Sequence, residues 1–281
     1  MKKHVLVTGA GGYIGRHVVC ALCDMGADVT TVSMENEGID LRAKNLTRDI
    51  FAPTENIFKE MGSPDVCVHL AWRDGFVHDS NAHMANLSSH YTFIEQMIRG
   101  GLKQLAVMGT MHEVGYFEGA INENTPCNPT SMYGIAKDAL RRSTTILAQK
   151  NNVCLQWLRA FYIYGDDEKN HSIFTKIVEA EKEGNAFFPL NSGLNKYDFI
   201  EINCLAEQIA SAVLQDEIAG VINCCTGVPI ALGEKVEQFI SEKGYSIRPQ
   251  YGMFPDRPYD SPGVWGDPTK INLICSTEPV K

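Results

Sequence analysis

Short apolar runs alternate with amphipathic segments along the chain up to about residue 160. The apolar runs predict strands at His4–Thr8, Asp28–Ser33, Asn45–Thr47, Asp65–Leu70, Gln104–Met108 and Val153–Leu158. Apolar positions spaced by three and four predict helices at Tyr13–Met25, Glu55–Met61, Ser80–Arg99 and Thr130–Lys150. This alternation is typical of βαβ units that build a doubly wound parallel sheet in an α/β fold.

The pattern changes after Gly165. A polar segment at 166–170 precedes a predicted helix at 173–183, and five of the twelve prolines lie between Arg248 and Pro268. We therefore predict a doubly wound domain at 1–165 and a smaller, loop-rich domain at 166–281. Segments around 196–225 are expected to rejoin the first domain.

Composition excludes several classes of protein. The 281 residues include 25 basic and 34 acidic side chains, so the net charge of −9 argues against binding to nucleic acid. No apolar run approaches the ~20 residues that span a bilayer, so no membrane association is expected. The apolar run after Lys3 ends at Thr8, which predicts no signal peptide and a cytoplasmic location. The eight histidines lack metal-ligand spacing, and no metal site is predicted.

Glycines at positions 9, 12 and 15 follow the first predicted strand and open the first predicted helix. Such glycines allow a tight turn, close approach of a pyrophosphate, and close packing of helix on strand. The helix N-terminus adds N–H donors and a partial positive charge. We predict a dinucleotide cofactor, with contacts from Gly9, Gly12, Tyr13, Ile14 and Gly15.

The end of the second predicted strand bears on the type of cofactor. NAD sites usually have a carboxylate there, whereas this strand ends in Ser33-Met34. Ser33 leaves room for a 2′-phosphate, with which Arg16 or Arg42 could pair. The sequence therefore favours NADP, while Glu35 leaves NAD open.

Tyr133 and Lys137 are four residues apart in a predicted helix, so their side chains share one face. An ammonium near a phenol favours the phenolate and lowers the tyrosine pKa. We expect Tyr133 to exchange a proton with a substrate near neutral pH.

With these motifs in place, the chain resembles the extended short-chain dehydrogenase/reductase superfamily, in its NAD(P)-dependent nucleotide-sugar epimerase/dehydratase branch. The likeness covers nearly the whole length. The matching segments are Thr8–Gly15 (TGxxGxxG), Asp49-Ile50, His69–Trp72 (HLAA in the family), Asn86, the segment from Glu123 to Lys137 (ExxPxxPxxxYxxxK), Arg159–Gly165, Asp198–Ile200 and Arg257–Asp260.

The resemblance implies a Rossmann-type fold and specific roles for residues. It implies catalysis by Thr110, Tyr133 and Lys137. Further cofactor contacts are implied for Ser33, Arg16, Asp49, Ile50, Leu70, Ala71, Trp72, Asn86, Tyr133 and Lys137. Substrate contacts are expected from Arg73, Tyr162, Lys196 and Arg257.

The chain departs from the family pattern at several positions. The dehydratases have an Asp-Glu pair where this chain has Met111 and His112, so water elimination is not expected. His112 is either an additional proton donor or a packed side chain. Tyr162 stands in place of an asparagine, and Tyr197 in place of an arginine for which the adjacent Lys196 could compensate.

The sequence thus predicts an NAD(P)-dependent oxidoreductase acting at C4 of a nucleotide-diphosphate sugar and favours a 4-keto-6-deoxyhexose reductase. The alternatives are an NAD-dependent 4-epimerase and a cofactor-binding protein without turnover. An apolar stripe on the helix at 80–99 predicts either a homodimer through a four-helix bundle or packing on the sheet. The stripe consists of Met84, Leu87, Tyr91, Ile94 and Ile98.

Overall fold

The computed structural model describes residues 2–34, 37–52, 54, 56–165, 170, 172–256 and 260–276. Its larger sheet contains β1 (His4–Thr8), β2 (Asp28–Ser33), β3 (Lys44–Thr47), β4 (Val66–His69), β5 (Gln104–Thr110), β7 (Cys154–Ala160) and β11 (Gly220–Cys224). These seven strands are parallel and lie in the order β11-β7-β5-β4-β1-β2-β3. The predicted α/β class with a Rossmann-type parallel sheet is confirmed.

Helices cover both faces of this sheet. One face packs against α1 (Tyr13–Asp24), α7 (Ile202–Leu214) and α9 (Thr269–Ser276), and the other against α2 (Ile57–Glu60), α4 (Leu87–Gly100) and α5 (Met132–Asn151). Successive strand residues point to opposite faces. Val5 and Val7 therefore join the first core, and Leu6 joins the second, with all three fully buried.

The predicted single helix Ser80–Arg99 is wrong. The structure has α3 (Ala82–Ala85) and then α4, separated at Asn86, whose ψ is −4°. The Asn86 amide donates to the Ala82 carbonyl at 2.9 Å and so competes with the helical hydrogen-bond ladder. The predicted helix at 55–61 shortens to α2, and Glu55 lies outside the described residues.

The apolar stripe predicted on this segment faces mainly inward. Ile94 and Ile98 are buried in the second core, and Leu87 and Tyr91 pack partly against it. Met84 remains 43% exposed. Packing on the sheet accounts for most of the stripe, and the homodimer stays a prediction.

A smaller sheet contains β12 (Pro229–Ala231), β10 (Lys196–Glu201), β14 (Gly263–Gly266) and β6 (Gly119–Ile121), in that order, with β8 (Tyr162–Tyr164) paired to β10. A two-stranded pair, β9 (Phe187–Pro189) and β13 (Arg248–Gln250), and the helices α6 (Ile173–Lys182) and α8 (Leu232–Lys243) complete this region. Strands β6 and β8 precede residue 165, whereas α7 and β11 pack with the larger sheet. Residue 165 therefore does not separate the two sheets, because each sheet packs with elements from both sides of the predicted boundary.

Buried polar side chains fasten the smaller sheet. The fully buried Asp198 carboxylate accepts hydrogen bonds from Thr226 and Gly227, in the loop between β11 and β12, and from Gly266 at the end of β14. Asn223, near the end of β11, donates to the Ile121 carbonyl of β6 at 2.7 Å. The smaller sheet is thereby held at the carboxyl edge of the larger one. No helix among the described residues has both the length and the hydropathy of a bilayer-spanning segment.

Candidate active site

The strand order reverses between β1 and β4, and ligands of doubly wound sheets bind beyond the carboxyl ends of the strands at such a point. Three segments leave the sheet here. They are the glycine-rich loop after β1, the loop that starts at Leu70 after β4, and the turn that follows Thr110 after β5. The crevice of this fold therefore lies among the residues to which the sequence assigned a function.

The glycine-rich loop has the close contacts that only glycine permits. Gly9 has a φ of +70°, and a Cβ atom there would lie 2.6 Å from the Ala71 nitrogen. A Cβ on Gly15 would lie 2.2 Å from the Gly9 carbonyl oxygen. Helix α1 starts at Tyr13 after Gly12, without a side-chain cap or an acidic residue in its first turn. Its first N–H groups thus remain suited to a pyrophosphate, and the loop fits a dinucleotide.

The loop after β4 is fixed by buried imidazoles. His69 is buried, with one ring nitrogen 2.9 Å from the Thr8 hydroxyl and the other 2.9 Å from the His90 ring. Leu70 packs on the first core, and Ala71 and Trp72 pack on the second. The expected cofactor residues at 70–72 therefore lie directly against the glycine-rich loop.

The adenine end of the expected site lies beside the end of β2. Ser33 pairs with Thr47 of β3, and Asp49 and Ile50 follow at the same edge of the sheet. Arg16 is 8% exposed, with its guanidinium carbon 5.8 Å from the Tyr13 ring centroid.

The expectation that Arg42 pairs with a 2′-phosphate is wrong. Because Lys44 lies beside Thr30, residue 42 falls near the amino edge of the sheet, away from the end of β2. The Arg42 guanidinium is instead paired with Asp24 at 2.7 Å and with Asp40 at 2.6 Å.

Thr110, Tyr133 and Lys137 come together at the carboxyl edge. Thr110 ends β5, Tyr133 is in the first turn of α5, and Lys137 follows one turn later. The Thr110 side chain lies next to the Tyr133 phenol. The Lys137 Nζ donates to the Met108 carbonyl at 2.8 Å and lies 3.8 Å from the Trp72 ring centroid. The Lys137 ammonium therefore contacts the loop that supports the glycine-rich turn.

The expectation that Lys137 lowers the pKa of Tyr133 is wrong for this structure. Burial raises the pKa of the Tyr133 phenol, the Glu113 carboxylate raises it further, and the neighbouring Thr110 side chain opposes both effects. Burial also lowers the pKa of Lys137 to about 7, so its positive charge is itself destabilised. For both groups, the effect of desolvation on the pKa outweighs the attraction between phenolate and ammonium that the four-residue spacing suggested.

The sequence reasoning missed Glu113, a fully buried carboxylate at the end of the 3₁₀ turn Met111–Glu113. Its Oε1 accepts from the Thr110 N–H at 2.8 Å and from the Trp157 indole at 2.9 Å. Arg159 lies 3.4 Å from the other oxygen. Thr110 and Glu113 form a capping box, and the Thr-x-x-Glu spacing could have revealed it. Glu113 thereby fixes the backbone that carries the Thr110 hydroxyl.

The remaining predicted residues lie at several places. Arg73 is exposed in the loop after β4, Lys196 is exposed at the start of β10, and Asn86 is half-buried at the helix break. Two of the departures from the family pattern are neighbours, because the centroids of the Tyr162 and Tyr197 rings lie 4.3 Å apart. Arg257 and Glu35 lie outside the described residues.

Comparison with known proteins identifies the family. The family model for the NAD dependent epimerase/dehydratase family matches residues 5–225. The chain is 44% identical over 268 residues to dTDP-6-deoxy-L-talose 4-dehydrogenase (NAD(+)) of Aggregatibacter actinomycetemcomitans, covering 94% of this chain and 99% of the relative. The chain belongs to the NAD-dependent epimerase/dehydratase family. The resemblance found in the sequence is confirmed, and so is the prediction of an NAD(P)-dependent short-chain dehydrogenase/reductase enzyme.

More distant members of the epimerase/dehydratase family match along similar lengths. UDP-glucose 4-epimerase of Corynebacterium glutamicum is 25% identical over 302 residues, covering 99% of this chain and 88% of that protein. The structure of UDP-N-acetylglucosamine 4-epimerase from Methanobrevibacter ruminantium M1 superposes with a TM-score of 0.83 at 21% identity. That superposition covers 99% of this chain and 94% of the epimerase, and it supports the fold alone.

The buried position of Glu113 leads to a first prediction. Glu113→Ala leaves the Thr110 N–H and the Trp157 indole without their acceptor, so Thr110 should lose its fixed position. We expect turnover to fall by roughly 10- to 100-fold, because small displacements of a reacting group have effects of that size. Glu113→Gln keeps one acceptor oxygen and should recover most of the rate. Steady-state kinetics and cofactor calorimetry check this, and equal losses in both variants would contradict a positioning role.

Proposed function

We propose that the chain transfers a hydride at C4 of a nucleotide-diphosphate sugar, and that its physiological direction is the reduction of a 4-keto-6-deoxyhexose. One observation carries the proposal: the Thr110 and Tyr133 side chains lie next to each other at the carboxyl edge, beside the loop that abuts Gly9. The name of the 44% identical relative, a 4-dehydrogenase of a dTDP-linked 6-deoxysugar, supports the class of substrate.

The two hydroxyls have different roles at the sugar oxygen. Thr110 and Tyr133 both hydrogen-bond the carbonyl oxygen, and Tyr133 gives it a proton as the alcohol forms. Burial raises the pKa of Tyr133, so the phenol stays protonated at neutral pH, which suits the reductive direction. A nicotinamide dinucleotide held by the glycine-rich loop, Ser33 and Asp49 would supply the hydride to C4. Lys137 lies between Tyr133 and Trp72 and holds the ribose side of that site.

We infer that the cofactor is NAD(H), although Ser33 at the end of β2 favoured NADP(H) in the sequence. Arg42 lies at the other edge of the sheet, paired with two carboxylates, and Arg16 is buried. The name of the 44% identical relative specifies NAD(+). We expect NADH to bind at least about 10-fold tighter than NADPH, because a 2′-phosphate without a cation is poorly held. Calorimetry of both cofactors measures these affinities. Ser33→Asp should increase the preference for NADH, because the carboxylate repels a 2′-phosphate. Tighter binding of NADPH than of NADH by the wild type would contradict the assignment of NAD(H).

Stoichiometry tests the proposed reaction. Purified protein is mixed with NADH and dTDP-linked 4-keto-6-deoxyhexoses, and the oxidation of NADH is followed by absorbance and NMR. We expect one NADH consumed for each sugar reduced at C4, with deuterium from labelled NADH found on that carbon. Interconversion of 4-epimers of UDP- or dTDP-hexoses without net NADH consumption would identify an epimerase. Cofactor binding without either reaction would identify a protein without turnover.

A further inference from the structure

Five histidines gather around Trp72 and Tyr133, and three of them are fixed by hydrogen bonds. His69 bonds Thr8 and His90 through its two ring nitrogens. His83 accepts from the Trp72 indole at 3.0 Å and contacts the Val77 carbonyl at 2.9 Å. These rings are buried and support the loop after β4. Among the residues that the structure describes, no three His, Cys, Asp or Glu side chains are placed so that they could hold a metal ion.

His78 and His112 differ from those three. Neither ring nitrogen of either residue takes part in a hydrogen bond within the described part of the chain, and both side chains are partly exposed. Their ring centroids are 4.3 Å apart. The His78 ring stacks on the Tyr133 ring at 5.4 Å, with an angle of 14° between the planes, and the His112 centroid is 6.2 Å from Tyr133. Four ring nitrogens thus remain for a ligand beside the proposed proton donor.

The backbone holds both histidines rigidly against the start of α5. The Tyr133 N–H donates to the His78 carbonyl at 2.8 Å. A Cβ on Gly134 would lie 2.4 Å from the His112 carbonyl oxygen, so the 3₁₀ turn packs directly on the glycine. Lys137, which contacts Trp72, lies one helical turn further along α5. The His78–His112 pair therefore packs against the first turn of α5, whereas Lys137 is in the next turn of that helix.

The charge state of His78 and His112 determines which chemical group of a ligand the pair can bind. Burial lowers the pKa of His112 to about 4, and burial also lowers the pKa of His78. Each ring is therefore neutral near pH 7, with one donor and one acceptor nitrogen. Such a pair suits a hydroxyl group, which also donates and accepts, better than a phosphate, which needs cations.

We propose that His78 and His112 form a subsite that binds the sugar hydroxyl next to the reacting carbonyl. This inference rests on the proposed function. In a 4-keto-6-deoxyhexose, C3 carries a hydroxyl, whereas C5 carries the methyl branch and the ring oxygen. With the carbonyl oxygen on Thr110 and Tyr133, the 3-hydroxyl is the vicinal polar group that the neighbouring imidazoles hold. The pair determines specificity and orients C4, while Tyr133 remains the proton donor.

A substrate-by-variant comparison tests the subsite. His78→Phe and His112→Phe keep a flat ring but lose the hydrogen bonds, and each is assayed with a 4-keto-6-deoxyhexose nucleotide and with its 3-deoxy analogue. We expect KM for the hydroxylated sugar to rise about 10- to 100-fold in each variant, as expected when a hydrogen bond to the substrate is lost. KM for the 3-deoxy analogue should change less than about twofold, and NADH affinity should not change.

Matched variants separate the subsite from general damage. His4→Phe changes a histidine at the start of β1, where its ring contacts Thr30, and should leave both KM values unchanged. Asn variants of His78 and His112 retain a hydrogen-bond donor and an acceptor and should recover part of the affinity. Equal losses on both sugars would overturn the subsite and leave the proposed reaction standing. A wild-type protein that neither binds nor reduces these sugars would overturn both.

Discussion

Replacing Tyr133 with Phe should lower turnover by roughly 10²- to 10⁴-fold, the usual contribution of a positioned general acid. The variant lacks one hydroxyl but keeps the ring, which packs against His78, His83 and Trp72. The fold should therefore persist. NADH affinity should also remain, because the glycine-rich loop and the loop after β4 do not depend on the phenol. The loss should appear in kcat rather than in the stability of the protein.

Steady-state kinetics with a 4-keto-6-deoxyhexose nucleotide, together with calorimetry of NADH, separates these effects. Tyr116→Phe is the matched control, because Tyr116 is 54% exposed and bonds Glu118. Thr110→Val should also slow the reaction without weakening the binding of NADH, since in the proposed mechanism that hydroxyl acts only on the sugar oxygen. Near-wild-type turnover in Tyr133→Phe would remove the tyrosine from the mechanism and make His112 the next candidate acid.

Local patterns were sufficient to predict six of the seven strands of the larger sheet, all except β11. Val5-Leu6-Val7 is apolar throughout because both faces of β1 are covered by helices, and such runs identify central parallel strands. The glycines at 9 and 15 were predictable as well, since their close contacts follow from the strand–turn–helix geometry itself. Hydrophobic periodicity and turn-forming residues act between positions that are close in the sequence, so a single sequence is enough to recognise them.

Features that depend on distant neighbours were not predictable in the same way. Arg42 appeared suited to a 2′-phosphate until the pairing of β3 with β2 brought it to the opposite edge. The pKa of Tyr133 depends on burial by several segments, which the spacing to Lys137 does not report. Glu113 is the intermediate case. Its capping-box spacing is local, but Trp157 and Arg159, which bond its carboxylate, come from a strand more than 40 residues later.

Lys137→Met should abolish most activity and also change how stability depends on pH. The lysine is 3% exposed, and it has no carboxylate within ion-pair distance among the described residues. Its ammonium relies on the Met108 carbonyl and the Trp72 ring. Methionine fills the space without a charge. We expect turnover to fall at least about 100-fold and NADH to bind more weakly, as measured by kinetics and calorimetry.

The stability of this variant reports the charge of Lys137 directly. Burial lowers the lysine pKa to about 7 in the folded protein, against a value near 10.5 in the unfolded chain. Between these two pKa values the unfolded state binds more protons than the folded state. The free energy of unfolding of the wild type therefore increases as the pH rises. Its free energy of unfolding should increase relative to Lys137→Met by up to about 1.4 kcal/mol per pH unit between pH 7 and 10.

Urea denaturation at several pH values measures this difference, because the other titrating groups are the same in both proteins. Lys150→Met, at an exposed lysine near the end of α5, is the matched control for the removal of a lysine charge that is not buried. Below pH 7 the difference for Lys137→Met should also level off, since the lysine is then protonated in both states. A difference that never changes with pH would mean that the Trp72 ring and the Met108 carbonyl fully offset burial. Lys137 would then keep its charge throughout, and its effect on Tyr133 would be that of a permanent cation.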